Sequence, residues 1–114
     1  MTNSIGEIAG AACILAIGTN ATDAHPVIGW EIRKAARKGA KLIIADPRRI
    51  DLVRDADLWL QYNPGTDLAL ILGMCRVIVD EGLEDKAFIE QRCENYTAFR
   101  ESLKEFDLDF VEKA

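Results

Sequence analysis

Histidine and cysteine, the residues that most often bind metals or act as nucleophiles, are scarce in this sequence. Its 114 residues include one histidine, His25, and three cysteines, Cys13, Cys75 and Cys93. Zinc sites and redox-active pairs need ligands a few residues apart, and this wide spacing does not provide them. The GxSxG and P-loop signatures are missing as well. We therefore assign no catalytic residue and no metal ligand within this chain.

The sequence also lacks an excess of positive charge and any long apolar run. Lysine and arginine number 14 against 19 aspartate and glutamate residues, so the net charge is −5. Nucleic-acid surfaces need clustered positive charge to neutralise phosphates, and this balance argues against such a partner. No run approaches the roughly 18 apolar residues of a membrane span, and Met1 to Ser4 carry no signal-peptide pattern. Cysteines without a disulfide framework fit a reducing compartment, so we expect a cytoplasmic protein with no membrane partner.

Two short apolar runs rich in β-branched residues predict parallel strands at 12–18 and 41–46. Between them, apolar side chains repeat at helical spacing from His25 to Lys38. Pro26 suits the first turn of this helix, and Gly39 lies where a left-handed cap is expected. A strand–helix–strand unit of this length has parallel strands and a right-handed crossover.

The remaining residues predict one more strand and several helices. We expect the strand at 58–62 and helices at 68–79, 84–94 and 97–106. The expected fold class is α/β, a Rossmann-like open parallel sheet in the order β-α-β-β-α with extra C-terminal helices. Cys13 and Cys75 fall in apolar segments and are predicted as small core residues.

Length and pattern predict a single α/β domain over residues 1–114. Its βαβ core is expected at about 12–82 and a helical extension at 83–114. Residues 1–11 look weakly structured, and the apolar stretch at 106–111 has little chain left to bury it. Both ends therefore suggest a piece excised from a much longer chain.

Polar loops follow the predicted strands, at the edge where open parallel sheets bind ligands. In the first loop, Gly18 allows close approach of the backbone, and the following helix favours a phosphate with its unpaired N–H groups. In the second loop, the Asp46 carboxylate is well placed to accept hydrogen bonds from ribose hydroxyls. Arg48 offers a phosphate clamp or a stacking surface. In the third loop, Asp67 could accept from the N1–H and the exocyclic amine of guanine.

Each of these side chains also has a purely structural interpretation. Asn20 and Asp23 can cap turns, and Asp46 can close an Asp-Pro turn. Asp67 is a favourable carboxylate for the first turn of a helix. His25, at a helix start, suits a structural role better than a catalytic one.

Four motifs in order resemble the molybdopterin oxidoreductases, and within that superfamily the catalytic (alpha) subunit of formate dehydrogenases. The motifs are Met1–Ile5, Ile17–Val27, Lys38–Arg48 and Pro64–Leu70. The resemblance covers nearly the whole chain, whereas the family's catalytic subunit is several times longer. It implies an α/β domain that binds one molybdopterin guanine dinucleotide, with molybdenum or tungsten in the parent enzyme.

The same resemblance implies which residues meet the cofactor. Gly18, Asn20 and Asp23 would line the phosphate and pterin-linker region. Asp46 and Arg48 would meet the ribose and the guanine. Gly65 and Asp67 would complete the guanosine pocket. The full set of implied cofactor-binding residues is Gly18, Asn20, Asp23, His25, Asp46, Pro47, Arg48, Gly65 and Asp67.

Other parts of the family's machinery are expected outside this segment. The cysteines of a 4Fe-4S cluster, and the cysteine or selenocysteine that binds the metal, lie upstream in the family. The implied partners are the remaining domains of the parent subunit and its electron-transfer subunits. The segment alone is expected to lack the residues that catalyse the two-electron oxidation of formate.

Two alternative functions stay open at this point. The first is a stand-alone Rossmann-like nucleotide-binding module. It is disfavoured because Gly18 is the only glycine of the GxGxxG fingerprint that is present. The second is a non-catalytic interaction domain that uses the apolar stretch at 106–111.

Overall fold

The computed structural model describes residues 3–114, so the first two residues of the Met1–Ile5 motif lie outside it. The chain divides into two compact units, Met1–Tyr62 and Asn63–Ala114. This boundary falls at Tyr62 and not near residue 82, where the sequence analysis ends the core. The reason is that the helix after the third strand packs on the C-terminal helices. That all 114 residues form one domain stays a prediction.

The first unit contains a sheet of three parallel strands in the order β1-β2-β3. Strand β1 is Cys13–Ile17, β2 is Lys41–Ala45 and β3 is Leu58–Leu60. Helices α1 (Ala21–Ala24) and α2 (Pro26–Arg37) connect β1 to β2. The open parallel α/β sheet is therefore confirmed. The sequence analysis had a loop where α1 forms.

Local sequence explains where the connecting helix begins and ends. Pro26 occupies its first turn, where a missing N–H costs nothing. Gly39 follows its last turn with a φ of +106°, a conformation that is strained for residues with a side chain. The helix α2 packs closely on α1 at Gly29, where an added Cβ would lie 3.0 Å from the Thr22 Cα.

The core of the first unit lies on one face of the sheet. Leu42 and Ile44 of β2 are fully buried there, together with Leu52 from a 3-10 helix (Asp51–Asp55). A second 3-10 helix, Ile5–Gly10, contacts α2, so the N-terminal segment is more ordered than its glycines indicated. Ile8 of that helix packs against the core.

The opposite face of the sheet is partly open. Leu15 and Leu58 are 44% and 48% exposed, although both lie within strands. Cys13 faces this side and is exposed, so the prediction of a core cysteine was wrong. The strand alternation places it two residues from Leu15 on the same face.

The second unit is helical. Its helices are α3 (Asp67–Asp80), α4 (Lys86–Arg92), α5 (Tyr96–Ser102), a 3-10 turn (Leu103–Glu105) and α6 (Leu108–Lys113). The apolar C-terminal stretch finds a partner inside this unit, because α6 packs on α3 where Val111 approaches Gly73. Cys75 on α3 is partly buried. Within residues 3–114, no helix has the length and apolar composition needed to cross a bilayer.

Candidate functional site

The carboxyl ends of the three strands lie side by side in the first unit. Ile17, Ala45 and Leu60 are in register across the sheet. The residues that follow β1 and β2 continue the pairing: the Gly18 N–H donates to the Ala45 carbonyl at 2.9 Å, and the Asp46 N–H donates to the Leu60 carbonyl at 3.2 Å. The loops after β1 and β2 therefore start next to each other at one edge.

The loop after β1 begins with a backbone that only glycine adopts at low cost. Gly18 has a φ of +58°, and the atom nearest to a Cβ added there would be the Tyr62 hydroxyl at 3.9 Å. The side of Gly18 that a Cβ would occupy is therefore open to a ligand.

Hydrogen bonds within the first loop hold its polar side chains together. The Asn20 amide Nδ2 donates to Asp23 Oδ2 at 2.6 Å, and the Thr22 hydroxyl donates to Asn20 Oδ1 at 3.0 Å. Both bonds join two side chains, and the Asn20 side chain makes no capping hydrogen bond to the backbone of α1. The two bonds fix the orientation of Asn20 and Asp23 at the edge of the sheet.

The loop after β2 is built around a buried carboxylate. Asp46 is 2% exposed, and its Oδ1 accepts a hydrogen bond from the Arg48 backbone N–H at 2.8 Å. The Arg48 Nε lies 3.5 Å from the same oxygen, while most of the Arg48 side chain is exposed. The Trp59 indole donates to the Asp46 carbonyl at 2.9 Å, and the Gln61 amide donates to the Pro47 carbonyl at 3.0 Å. Side chains of the neighbouring strand and its extension therefore fix the position of this loop.

Several predicted site residues thus share the edge of the first unit: Gly18, Asn20, Asp23, Asp46, Pro47 and Arg48. His25 is exposed at the N-cap of α2, where its side chain makes no capping hydrogen bond. Gly65 and Asp67 belong to the second unit, so the meeting of all three loops stays a prediction. Gly65 has a φ of +89° and precedes α3, and nothing lies within 4 Å of a Cβ added there.

Two further residues of this edge were missed in the sequence. Tyr62 approaches Gly18, and Gln61 binds the backbone of the second loop. The sequence analysis placed both inside the third strand, which ends at Leu60. The signal was their position directly before the Asn-Pro-Gly break, where a strand ends and its last side chains reach the edge.

Carboxylates of the same unit pair with basic side chains of α2 and β2. Arg33 bonds to Asp51 at 2.5 Å and to Asp55 at 3.0 Å, and the Arg33 hydrogen bond lowers the pKa of Asp51. The Asp57 carboxylate accepts from the Lys41 ammonium at 2.8 Å and from a backbone N–H of β2, and both hydrogen bonds lower its pKa. Arg33 and Lys41 are therefore occupied by ion pairs within the first unit.

Metal ligands are not clustered in the part of the chain that the structure describes. Residues 3–114 contain no group of three or more His, Cys, Asp and Glu side chains arranged to hold a metal ion. The three cysteines are free thiols.

Comparison with known proteins identifies the family and the fold. A profile of the molybdopterin oxidoreductase family matches residues 1–104. The chain belongs to the molybdopterin oxidoreductase family. It is 44% identical to the F420-dependent formate dehydrogenase subunit alpha of Methanocaldococcus jannaschii. The match spans 113 residues, which are 99% of this chain and 17% of the relative. The chain is 36% identical over 112 residues to formate dehydrogenase H of Escherichia coli, with coverage of 98% and 16%.

A solved structure of the same family has the same fold. Acetylene hydratase from Pelobacter acetylenicus matches with a TM-score of 0.82 and 35% identity, over 96% of this chain and 16% of that chain. The 114-residue chain therefore spans about one sixth of the length of these relatives. Membership in the family implies a molybdopterin cofactor and confirms the resemblance drawn from the four motifs.

Proposed function

We propose that this chain is the segment of a formate-dehydrogenase-type catalytic subunit that binds one molybdopterin guanine dinucleotide. The observation that carries the proposal is the pairing of Gly18 with Ala45, which sets an open glycine backbone beside the buried Asp46 carboxylate. Nucleotides bind at this edge of open parallel sheets. The 44% identity to a formate dehydrogenase alpha subunit supports the enzyme type.

The residues of the edge fit a group that contains phosphates and ribose. The backbone at Gly18 has room for a phosphate oxygen, because only the Tyr62 hydroxyl lies near the position of a Cβ. The two hydrogen bonds that Arg48 donates to the Asp46 carboxylate both go to Oδ1. We therefore expect Oδ2 to accept from a ribose hydroxyl. The exposed Arg48 guanidinium is positioned to meet a phosphate or to stack on the base.

The chain's own contribution is binding and orientation. When bound, the pterin and its metal supply the two-electron chemistry. Asp46 and Arg48 would hold the nucleotide end, and Asn20 and Asp23 the linker towards the pterin. Gly65 and Asp67 are proposed to complete the guanosine pocket. Under this proposal all 114 residues act as one domain, and none of them catalyses the reaction.

The reaction of the parent enzyme has two candidates. The formate dehydrogenase relatives favour formate oxidation. Acetylene hydratase of Syntrophotalea acetylenica, 41% identical over 109 residues, favours the addition of water to acetylene as the second candidate. Dye reduction with formate and acetaldehyde release from acetylene, assayed on the same parent preparation, decide between them. Three further predictions accompany the first candidate. They are electron-transfer subunits as partners, a cytoplasmic location, and molybdenum or tungsten as the metal.

A nucleotide titration tests the proposal on the chain itself. GDP is added to the 15N-labelled chain, and the amide shifts of the loops at 18–25, 46–49 and 64–67 are followed. We expect shifts confined to these loops, with weak affinity because other domains complete the pocket. A titration with inorganic phosphate in place of GDP serves as the control for a simple anion effect. Shifts located elsewhere, or none with millimolar GDP, would contradict the proposal.

Cofactor loading of the parent enzyme gives a second test. Asp46→Asn keeps an oxygen for the Arg48 N–H but removes the charge and one acceptor. Loss of a charge-assisted hydrogen bond of about 1.5–3 kcal/mol predicts cofactor binding weakened by roughly 10- to 150-fold. Glu31→Gln is the matched control, because within residues 3–114 its carboxylate has an ion pair with Lys34 on the same helix and none elsewhere. Full cofactor content in Asp46→Asn, at unchanged stability, would refute the role of Asp46.

A further inference from the structure

The chain that leaves β3 approaches both of the loops at the edge of the first unit. The Gln61 amide Nε2 donates to the Pro47 carbonyl of the second loop at 3.0 Å. The Tyr62 hydroxyl lies beside the first loop, 3.9 Å from the position of a Cβ added to Gly18. Tyr62 is the last residue of the first unit, so this geometry is internal to that unit. Two consecutive residues therefore reach the loops after β2 and β1.

The space between Gly18 and the Tyr62 hydroxyl is accessible to a ligand. Gly18 is exposed and Tyr62 is partly buried. Among residues 3–114, and apart from the chain neighbours of Gly18, no other atom lies within 4 Å of the added Cβ. A ligand atom that packs against the Gly18 Cα on this side therefore faces the Tyr62 hydroxyl. Because β2 lies between β1 and β3, the Tyr62 side chain passes the end of β2, where Asp46 begins the second loop.

The first loop provides this space, but several of its hydrogen-bond donors are already used within the protein. The Gly18 N–H donates to the Ala45 carbonyl and continues the sheet. The Thr22 hydroxyl donates to Asn20 Oδ1, and the Asn20 amide donates to Asp23 Oδ2. The oxygens of an ionised phosphate accept hydrogen bonds and are bound by donors. A donor from outside the first loop would therefore strengthen the binding of a phosphate beside Gly18.

We propose that the Tyr62 hydroxyl donates a hydrogen bond to the phosphate oxygen that lies against Gly18. This inference rests on the proposed function, because it concerns the cofactor phosphate at the same edge. A phenol hydroxyl donates one hydrogen bond and also accepts, so Tyr62 can bond to a phosphate and keep a further contact within the protein. Tyr62 is then a cofactor-binding residue that the extension of β3 supplies, in addition to the residues of the two loops.

The ring signals of the two tyrosines test the proposal directly. The chain contains two tyrosines, Tyr62 in the first unit and Tyr96 in the second. The chain is labelled with 13C-tyrosine, and the Tyr62 signal is assigned from its loss in Tyr62→Phe. Added GDP should shift the Tyr62 signal in step with the amides of the loops at 18–25 and 46–49, with the Tyr96 signal as the reference. Guanosine, which lacks phosphates, should leave the Tyr62 signal unchanged at the same concentration.

Two variants with the same chemical change separate a ligand contact from a structural role. Tyr62→Phe removes the hydroxyl at the proposed site, and Tyr96→Phe removes a hydroxyl from α5. Tyr62→Phe should weaken GDP binding about tenfold, measured from the amide shifts of the first loop, whereas Tyr96→Phe should keep the wild-type affinity. A purely structural hydroxyl would instead lower the urea midpoint of Tyr62→Phe and leave the GDP affinity of the folded chain unchanged.

The outcomes distinguish this inference from the proposed function. Loop shifts with GDP but no shift of the Tyr62 ring signal would overturn the role of Tyr62 and leave the proposed function in place. Equal GDP affinity in Tyr62→Phe and Tyr96→Phe would do the same. An equal shift of the Tyr62 signal with guanosine would overturn the phosphate contact, because it would assign the contact to the nucleoside. No shift in either loop with GDP would contradict the inference and the proposed function together.

Discussion

The central strand β2 carries two adjacent isoleucines that face opposite sides of the sheet. Ile44 is fully buried and lies in register between Ala16 of β1 and Trp59 of β3. Ile43 is only partly buried and lies in register between two half-exposed leucines. Replacing each by alanine removes the same atoms from the same strand, so the two variants differ mainly in burial.

The expected costs follow from these environments. Ile44→Ala removes three carbon atoms, worth about 0.8 kcal/mol each when buried. The cavity left in a closed core raises the total to about 4 kcal/mol, within the range of about 2–5 kcal/mol for such changes. Ile43→Ala loses only part of the transfer term and leaves no closed cavity, so we expect about 1–2 kcal/mol.

Urea unfolding followed by tryptophan fluorescence measures this difference. Both tryptophans, Trp30 and Trp59, lie in the first unit, so the signal reports the sheet and its helices. Ile44→Val, at about 1 kcal/mol, replaces Ile44→Ala if the latter is unfolded without urea. Equal losses for Ile43→Ala and Ile44→Ala would refute the one-sided core, because they would mean that both faces are equally buried.

Three further predictions concern the loops and their pH dependence. Gly18→Ala should destabilise the chain by about 1–2 kcal/mol in urea unfolding, since alanine resists the left-handed backbone, and wild-type stability would contradict this conformation. The folded-state pKa values of Asp51 and Asp57 lie below their usual value of 3.8. Their ionised carboxylates therefore stabilise the folded state fully above about pH 4, and this stabilisation is lost as pH falls through the lowered pKa. The urea midpoint should therefore drop below pH 4, and less so in Asp57→Asn. Trp59→Phe removes the donor to the Asp46 carbonyl, so it should weaken cofactor binding of the parent enzyme although Trp59 itself is not proposed to contact the cofactor. Unchanged cofactor content would count against an indirect role for this hydrogen bond.

The sequence was sufficient for the elements that local pattern determines. The predicted strand at 41–46 is Lys41–Ala45 in the structure, and the helix from His25 to Lys38 is Pro26–Arg37. Apolar periodicity, a proline in the first turn and a glycine after the last turn specify these boundaries within a residue or two. Parallel pairing followed because a strand–helix–strand unit has few other solutions.

Long-range packing explains what the sequence did not reveal. The helix α1 is too short to show a periodic pattern in the sequence. It forms where Gly29 of α2 has no side chain, so that α2 packs closely on α1. The C-terminal apolar stretch had no visible partner, since Gly73 and Val111 are far apart in sequence. The boundary at Tyr62 likewise depends on which helices pack together, which no single segment encodes.

The same hydrogen bonds account for both the structural and the functional interpretation of the site residues. Oδ1 of Asp46 accepts from the Arg48 N–H, which closes the turn, and this bond holds the carboxylate in one orientation. The bond from Asn20 to Asp23 does the same for the first loop. Because these side chains are already fixed, the protein loses less conformational entropy when a ligand binds to them. A turn-closing carboxylate at the end of a parallel strand is therefore compatible with a nucleotide site.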